Sequence, residues 1–217
     1  MSSFTEEQTH QLMERLEAEA FTPEQVTKLG QFNNLAGVKA VLEGTAKIKP
    51  MADEDAARLI TINSTTIAVN LVATPKLPFN VAEVERHVGE GWAIVEKRPD
   101  GRLYVNGRKV VLYLSKRQVG SKWLKGYDLR EELTGKPVLN ANVLDALADN
   151  THLIPEDWKV DERGNTRYIF FWATVYRYSS GDLCVRCLCF HGGGWRRSYG
   201  WLGNDWFGSN PAASLAS

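Results

Sequence analysis

Three cysteines are the residues whose type and spacing most readily suggest metal binding or disulfide chemistry. They lie within six residues of one another, at Cys184, Cys187 and Cys189. An odd number of cysteines in so short a segment is not a disulfide framework. Cys187 and Cys189 would share one face of a strand, and zinc sites rarely use this i, i+2 spacing without histidine or further cysteine nearby. We therefore predict three buried or half-buried thiols and no bound metal.

Histidines, the usual acid–base catalysts, are scattered along the chain. The four lie far apart, at His10, His87, His152 and His191. No phosphate-binding loop, GxSxG nucleophile elbow or HExxH sequence occurs. HGGG at 191–194 is similar to the oxyanion loop of esterases, but without GxSxG its glycines are better explained as a turn with positive φ. We expect no enzymatic activity and no cofactor, and a small hydrolase built around His191 stays an alternative.

The segment from Lys97 to Lys125 is strongly basic, with nine basic residues against one acid. Aromatic residues alternate with the basic ones, so the segment could follow a phosphate backbone and stack bases. The residues that would do so are Lys109, Lys116, Arg117, Lys122 and Lys125. A strand with a solvated basic face and an aromatic core face explains the same pattern. Nucleic-acid binding is therefore a second alternative.

The composition of the whole chain sets limits on function. Its 217 residues are 43% hydrophobic and 24% charged, with a formal net charge of zero, which favours neither nucleic acid nor membrane. No stretch approaches the ~20 apolar residues of a membrane span. The N-terminus lacks the basic start and apolar run of a signal peptide. We expect a cytoplasmic protein.

Hydrophobic periodicity divides the chain into three parts. Residues 1–60 predict a small helical module, with a first helix over 5–20 capped by Thr5 and further helices beyond 22. Residues 61–74 suit a linker or an edge strand. Residues 75–217 alternate apolar and polar side chains around turn signals, with two short helices at 127–133 and 140–150. This order predicts an α+β domain.

The C-terminal part carries a family resemblance. This part resembles the C-terminal portion of proteins from candidate-phylum bacteria in the segments RYIFFWATVYR, SSGDLCVRCLCF, WLGNDW and NPAASLAS. The resemblance also includes PVLNANVLDALADN and HLIPEDW, and so covers roughly residues 75–217. The tail also resembles the target (variable) proteins of diversity-generating retroelements. In those systems a reverse transcriptase copies a template with errors at adenines and rewrites the end of the gene. The resemblance implies a C-type-lectin-like fold that displays diversified residues.

Codon chemistry supports a variable tail at 189–210. Randomising both adenines of an asparagine codon never gives a codon for Lys, Glu, Gln, Met or Trp. Every residue of the tail other than tryptophan has a codon that such changes can produce. Tryptophan codons contain no adenine, so Trp195, Trp201 and Trp206 would stay fixed and, with Leu202, form a buried scaffold. Lys, Glu, Gln and Met are absent from all of 163–217, so a β-rich composition could explain part of this signal.

The expected function is ligand recognition by this tail. Tyr, Ser, Gly, Asn and Arg are the residues that antibody loops use. The predicted ligand-binding residues are Phe190, His191, Gly192, Arg196, Ser198, Tyr199, Gly200, Gly203, Phe207, Gly208 and Ser209. The expected ligand is a protein, and the reverse transcriptase would act on the gene only. The helical module would couple recognition to a further partner.

Overall fold

The computed structural model divides the chain into two units, 1–50 and 51–217. It describes residues 5–18, 22–23, 58–80, 82–120 and 122–216. In the first unit, helix α1 spans Glu6–Ala18. Thr5 caps it as predicted, because its Oγ1 accepts a hydrogen bond from the Gln8 amide at 3.2 Å. The helices predicted beyond residue 23 lie outside the described residues.

The second unit is built on one large, mostly antiparallel sheet. Its strands are β1 Leu59–Asn63, β2 Thr66–Asn70, β3 Ala82–His87, β4 Trp92–Lys97, β5 Leu103–Val105, β6 Arg108–Tyr113, β8 Tyr168–Phe170, β9 Thr174–Tyr178, β10 Leu183–His191, β11 Gly194–Trp201 and β13 Ala212–Leu215. They are ordered β1-β2-β4-β5-β6-β13-β8-β10-β9-β3, with β11 paired to β10. β7 (Leu124–Lys125) and β12 (Asp205–Trp206) form a separate ladder. Only β13 and β8 run parallel among the described pairs.

Among the described residues, two α-helices accompany this sheet, α2 at Gly126–Glu132 and α3 at Ala141–Asp149. Both were predicted. Gly135 follows α2 with φ of 78°, a conformation that favours glycine. Asn140, rather than Asn142, caps α3, and its side chain accepts from the amides of Asn142 and Val143. The fold class is therefore mixed, a large sheet with few helices.

Short turns connect the strands where the sequence predicted them. Asn106 and Gly107 both have positive φ, 48° and 74°, as a two-residue type I′ hairpin requires. Gly181, with φ of 92°, lies in the turn between β9 and β10. The segment 61–74 contains most of the β1–β2 hairpin. β1 is an edge strand, whereas β2 is paired on both sides and buries Ile67 and Val69.

Alternating side chains place a hydrophobic core on each face of the sheet. On the α3 face, Ile169 and Leu188 pack against α3. On the opposite face, Phe170 and Cys187 pack with Trp206 and the region of β7 and α2. The two faces are called here the α3 face and the Trp206 face.

A half-buried histidine anchors the N-terminal end of α3. His87 Nδ1 lies 2.8 Å from Thr174 Oγ1, and His87 Nε2 lies 2.8 Å from the Leu71 carbonyl oxygen. Thr174 Oγ1 also accepts from the Ala141 amide. The imidazole must therefore donate from Nε2, and Thr174 donates to Nδ1. Burial lowers the pKa of His87, since it disfavours the charged ring.

Candidate functional site: the C-terminal surface

The β10–β11 hairpin carries most of the predicted ligand-binding residues, and its register distributes them over both faces of the sheet. Ser198 lies opposite Cys187 on the Trp206 face, and Tyr199 lies opposite Arg186 on the α3 face. Arg196 shares the face of Ser198. The predicted set therefore does not form one continuous surface.

On the α3 face, Tyr199 belongs to a cluster of aromatic rings. Its ring meets Phe79 edge-on, with centroids 5.1 Å apart, and Trp201 in the same way at 5.4 Å. Phe79 in turn contacts Tyr178 at 5.3 Å. Tyr199 nevertheless remains 42% exposed. The ring is thus held in place by its neighbours while much of its surface stays available for contact.

Tyr199 lines a groove of about 440 Å³ between α3, the segment 76–78 and β11, here called the β11 groove. Asp145 and Asp149 of α3 line its other side, with Arg186 and Arg197. This volume lies within the range of small-molecule binding pockets.

An ion-pair network holds the floor of the β11 groove. Asp145 accepts two hydrogen bonds from the buried Arg186 guanidinium, at 2.8 and 2.7 Å, and one from Arg197 Nε at 2.9 Å. Arg197 also bonds to Asp149. Burial of Arg186 is the largest influence and opposes its charge, but the hydrogen bonds and the charge of Asp145, together with Tyr176, outweigh that cost and raise the Arg186 pKa. Arg197, which was not among the predicted binding residues, is thereby fixed at the groove.

The tip of the hairpin is a glycine turn with exposed polar residues around it. Gly192 and Gly193 have positive φ, 61° and 81°, as predicted, whereas Gly194 does not. His191 is exposed, and its carbonyl oxygen accepts from Arg196 Nε at 3.1 Å. Any side chain at position 192 would be strained, so that predicted variable position is restricted.

Phe190 is half-buried beside the tip. Its ring lies 5.6 Å from that of Trp195, and the Lys159 ammonium lies 4.4 Å from the Phe190 ring centroid. Both contacts limit how much of Phe190 a ligand could reach.

Gly200 differs from the prediction, because it is packed rather than displayed. A Cβ atom at this position would lie 2.9 Å from Phe170 Cε1 and 3.3 Å from Trp206 Cη2. These rings are part of the core on the Trp206 face, with Phe170 and Trp206 centroids 4.1 Å apart. Gly200 is therefore a packing residue that lets β11 approach Phe170.

The scaffold residues also differ in burial from the sequence-based expectation. Leu202 and Trp206 are fully buried, at 0% and 2% exposure. Trp195 and Trp201 are only half-buried, at the margins of the cores. The expectation that all three tryptophans lie beneath the surface holds for Trp206 alone.

The last predicted residues lie away from the hairpin. Phe207, Gly208 and Ser209 line a second groove of about 550 Å³ together with Val119, and Phe207 is 46% exposed. A Cβ atom at Gly208 would lie 3.1 Å from the Gln118 carbonyl oxygen, which leaves little room for a side chain.

Gly203 lies in the exposed turn between β11 and β12, and its Cβ position is open. The Gly203 carbonyl oxygen accepts from Lys125 Nζ at 3.2 Å. A side chain could be added here without a clash, so Gly203 is compatible with variation.

The three cysteines are buried, as predicted, and their thiols are free. Burial raises the pKa of Cys184 to about 11, and it also raises the pKa values of Cys187 and Cys189. Thiols with such pKa values stay protonated near neutral pH and are poor nucleophiles. The described residues contain no group of three or more His, Cys, Asp or Glu side chains placed to hold a metal ion.

The basic stretch is partly neutralised. Lys116, Arg117 and Lys122 border one open depression with the exposed Trp123. Arg117 Nη2 lies 2.8 Å from Asp128 Oδ2.

The remaining two predicted basic residues lie outside that depression. Lys125 Nζ lies 2.7 Å from Asp205 Oδ1, and Lys109 lies on β6 opposite Tyr104. The five residues thus do not form a continuous basic track.

The imidazole of His191 has no hydrogen bond to a serine, a cysteine or a carboxylate among the described residues, so a catalytic triad is not assembled there.

Within the described part of the chain, no helix is both long enough and apolar enough to cross a membrane. Comparison with models of protein families gives no match, and comparisons with curated proteins and with solved structures give none either. The geometry of the site is therefore the basis for assigning a function.

Proposed function

We propose that this protein is a ligand-binding protein rather than an enzyme, and that the β11 groove is its recognition surface. The observation that carries the proposal is the state of Tyr199, which is rigidly packed against Phe79 and Trp201 yet 42% exposed. Tyrosine held in this way offers a large contact area at little cost in conformational entropy.

The charges of the groove add to this preorganisation. Arg197 is held by Asp145 and Asp149, so its guanidinium need not be ordered when a ligand binds. Tyr and Arg are the residues that most often dominate binding energy at protein interfaces. We therefore expect a protein or peptide ligand that presents a side chain into a groove of about 440 Å³.

We further propose that the tail is diversified by a retroelement on a C-type-lectin-like fold. The support is the family resemblance, the codon pattern of 189–210, and a mixed fold dominated by an antiparallel sheet. Arg196, Tyr199, Gly203 and Phe207 are exposed, as displayed variable positions should be, whereas a Cβ atom at Gly200 would clash with the Phe170 ring. A reverse transcriptase would act on the gene and not on the protein. Buried free thiols support a reducing compartment such as the cytoplasm.

The DNA around the gene tests the diversification directly. A near-repeat of the codons for 189–210, with asparagine codons at the variable positions and a reverse-transcriptase gene nearby, is the expected finding. Absence of both the repeat and the reverse transcriptase would contradict this part of the proposal, without bearing on ligand binding by the groove.

Nucleic-acid binding is the second candidate, because Lys116, Arg117 and Lys122 surround the same depression as Trp123. Cations beside an exposed aromatic ring are typical of single-strand binding. Binding of single-stranded DNA that weakens steeply with salt, and that Trp123→Ala abolishes, would favour this function. Binding that depends mildly on salt and is unchanged by Trp123→Ala would exclude it.

A further inference from the structure

A partly enclosed cavity of about 130 Å³ lies beside the end of β3, the end of α2 and the segments 136–138 and 172–173. Three cationic side chains line it, those of Arg86, Arg130 and Lys136, and none of the described residues lining it carries a carboxylate. The cavity shares no residue with the β11 groove.

The two arginines of this cavity differ from Arg117 and Arg177 of the same unit. Arg117 and Arg177 each pair with a carboxylate, at 2.8 Å from Asp128 and 2.6 Å from Glu85. The guanidinium groups of Arg86 and Arg130 form no ion pair or hydrogen bond with any described residue. Arg86 is exposed and Arg130 is half-buried, so two cations without a carboxylate partner border one small space.

Trp172 also lines this cavity. It is 3% exposed, and among the described residues its indole Nε1–H has no hydrogen-bond partner. The Nε1 atom has almost no accessible surface, so the Trp172 ring is a reporter beside the cavity and donates no bond into it.

We propose that the cavity binds a small oxyanion, a phosphate or carboxylate group. Arg86 and Arg130 would neutralise the charge and donate hydrogen bonds, since the planar guanidinium matches both kinds of oxyanion. The Trp172 ring lines the same cavity, so its indole N–H resonance would respond to the bound charge. The volume is close to that of an engineered cavity of ~150 Å³ that accepts benzene, so it suits one such group and not a nucleotide.

The experiment is a titration of the full chain followed by two-dimensional ¹H–¹⁵N NMR of the indole groups. The Trp172 resonance is assigned as the one missing from the Trp172→Phe spectrum. Inorganic phosphate and sodium acetate are added separately at constant ionic strength, with sodium chloride as the reference. We expect the Trp172 resonance to shift with one or both oxyanions and not with chloride. The oxyanion that binds more tightly identifies the class of anion.

Variants test the role of the arginines. Arg86→Gln and Arg130→Gln should each lower the affinity for the oxyanion about tenfold or more. This is the effect of losing one charge-assisted hydrogen bond. Arg163→Gln, which removes an exposed arginine at a different groove, is the matched control and should leave the affinity unchanged. A Trp172 resonance that moves with neither oxyanion, or equally with chloride, would overturn the proposal. Unchanged affinity in both arginine variants would do the same.

Discussion

Asp145→Asn should strongly destabilise the second unit. The Arg186 side chain is 4% exposed, and Asp145 supplies its counter-charge through hydrogen bonds of 2.8 and 2.7 Å. Asparagine keeps the shape but loses the charge, and its amide group would face a guanidinium N–H. Breaking one side of a buried ion pair typically costs about 3–5 kcal/mol, since the remaining charge stays buried. We expect a loss of that size in the free energy of unfolding.

The same network provides a matched control. Asp149 is 45% exposed and bonds to Arg197, which is 38% exposed, so this pair is largely screened by solvent. Asp149→Asn should therefore cost only about 0–1 kcal/mol. Replacing both buried partners, in Asp145→Leu with Arg186→Met, should recover much of the stability lost in Asp145→Asn, because no uncompensated charge remains.

The assay is urea denaturation followed by tryptophan fluorescence and by circular dichroism, with equal m-values required before free energies are compared. The reasoning fails if Asp145→Asn costs no more than Asp149→Asn. It also fails if the double replacement is less stable than the single one.

Three further changes have defined outcomes. Gly200→Ala should destabilise the fold by about 1–3 kcal/mol in the same urea assay, because the added methyl group overlaps the Phe170 ring. An unchanged denaturation midpoint would show that the ring moves freely. Trp206→Ala should lower the stability of the fold by about 3–5 kcal/mol, and Trp195→Ala should lower it clearly less because Trp195 is only half-buried. Equal losses of stability in thermal denaturation would contradict the observed burial. Burial lowers the pKa of His87, so the histidine of the unfolded chain takes up a proton at a higher pH than the folded one. The contribution of His87 to stability should therefore be complete above about pH 6.5 and decline as the pH falls. Urea denaturation between about pH 7 and 5 measures this decline, and His87→Gln should reduce it.

Local features of the fold could be predicted from the sequence because neighbouring residues determine them. Asn106-Gly107 specifies a hairpin through its positive φ angles, and Asn140 caps α3 through bonds to amides two and three residues away. Burial of the cysteines followed from their apolar strand.

Long-range contacts explain where the prediction was wrong. Gly200 was expected on the surface, but its packing depends on Phe170, thirty residues earlier and two strands away. The ion pair between Asp145 and Arg186 joins a helix to a strand across 41 positions, and neither residue has a sequence motif that marks it. Periodicity shows that alternate residues face opposite sides, but which side a ligand can reach depends on where α3 packs.

The central claim, recognition through the β11 groove, is tested most directly by comparing two tyrosines on opposite faces of the same sheet. Tyr199 lies on the α3 face and is 42% exposed, and Tyr168 lies on the Trp206 face and is 38% exposed. The wild-type protein, Tyr199→Ser and Tyr168→Ser are each applied to one array of immobilised proteins and peptides. We predict that the wild-type protein binds a defined set of ligands, that Tyr168→Ser keeps this set, and that Tyr199→Ser loses it while remaining folded. An array without wild-type ligands, or the same ligands for Tyr199→Ser as for the wild-type protein, would contradict the account.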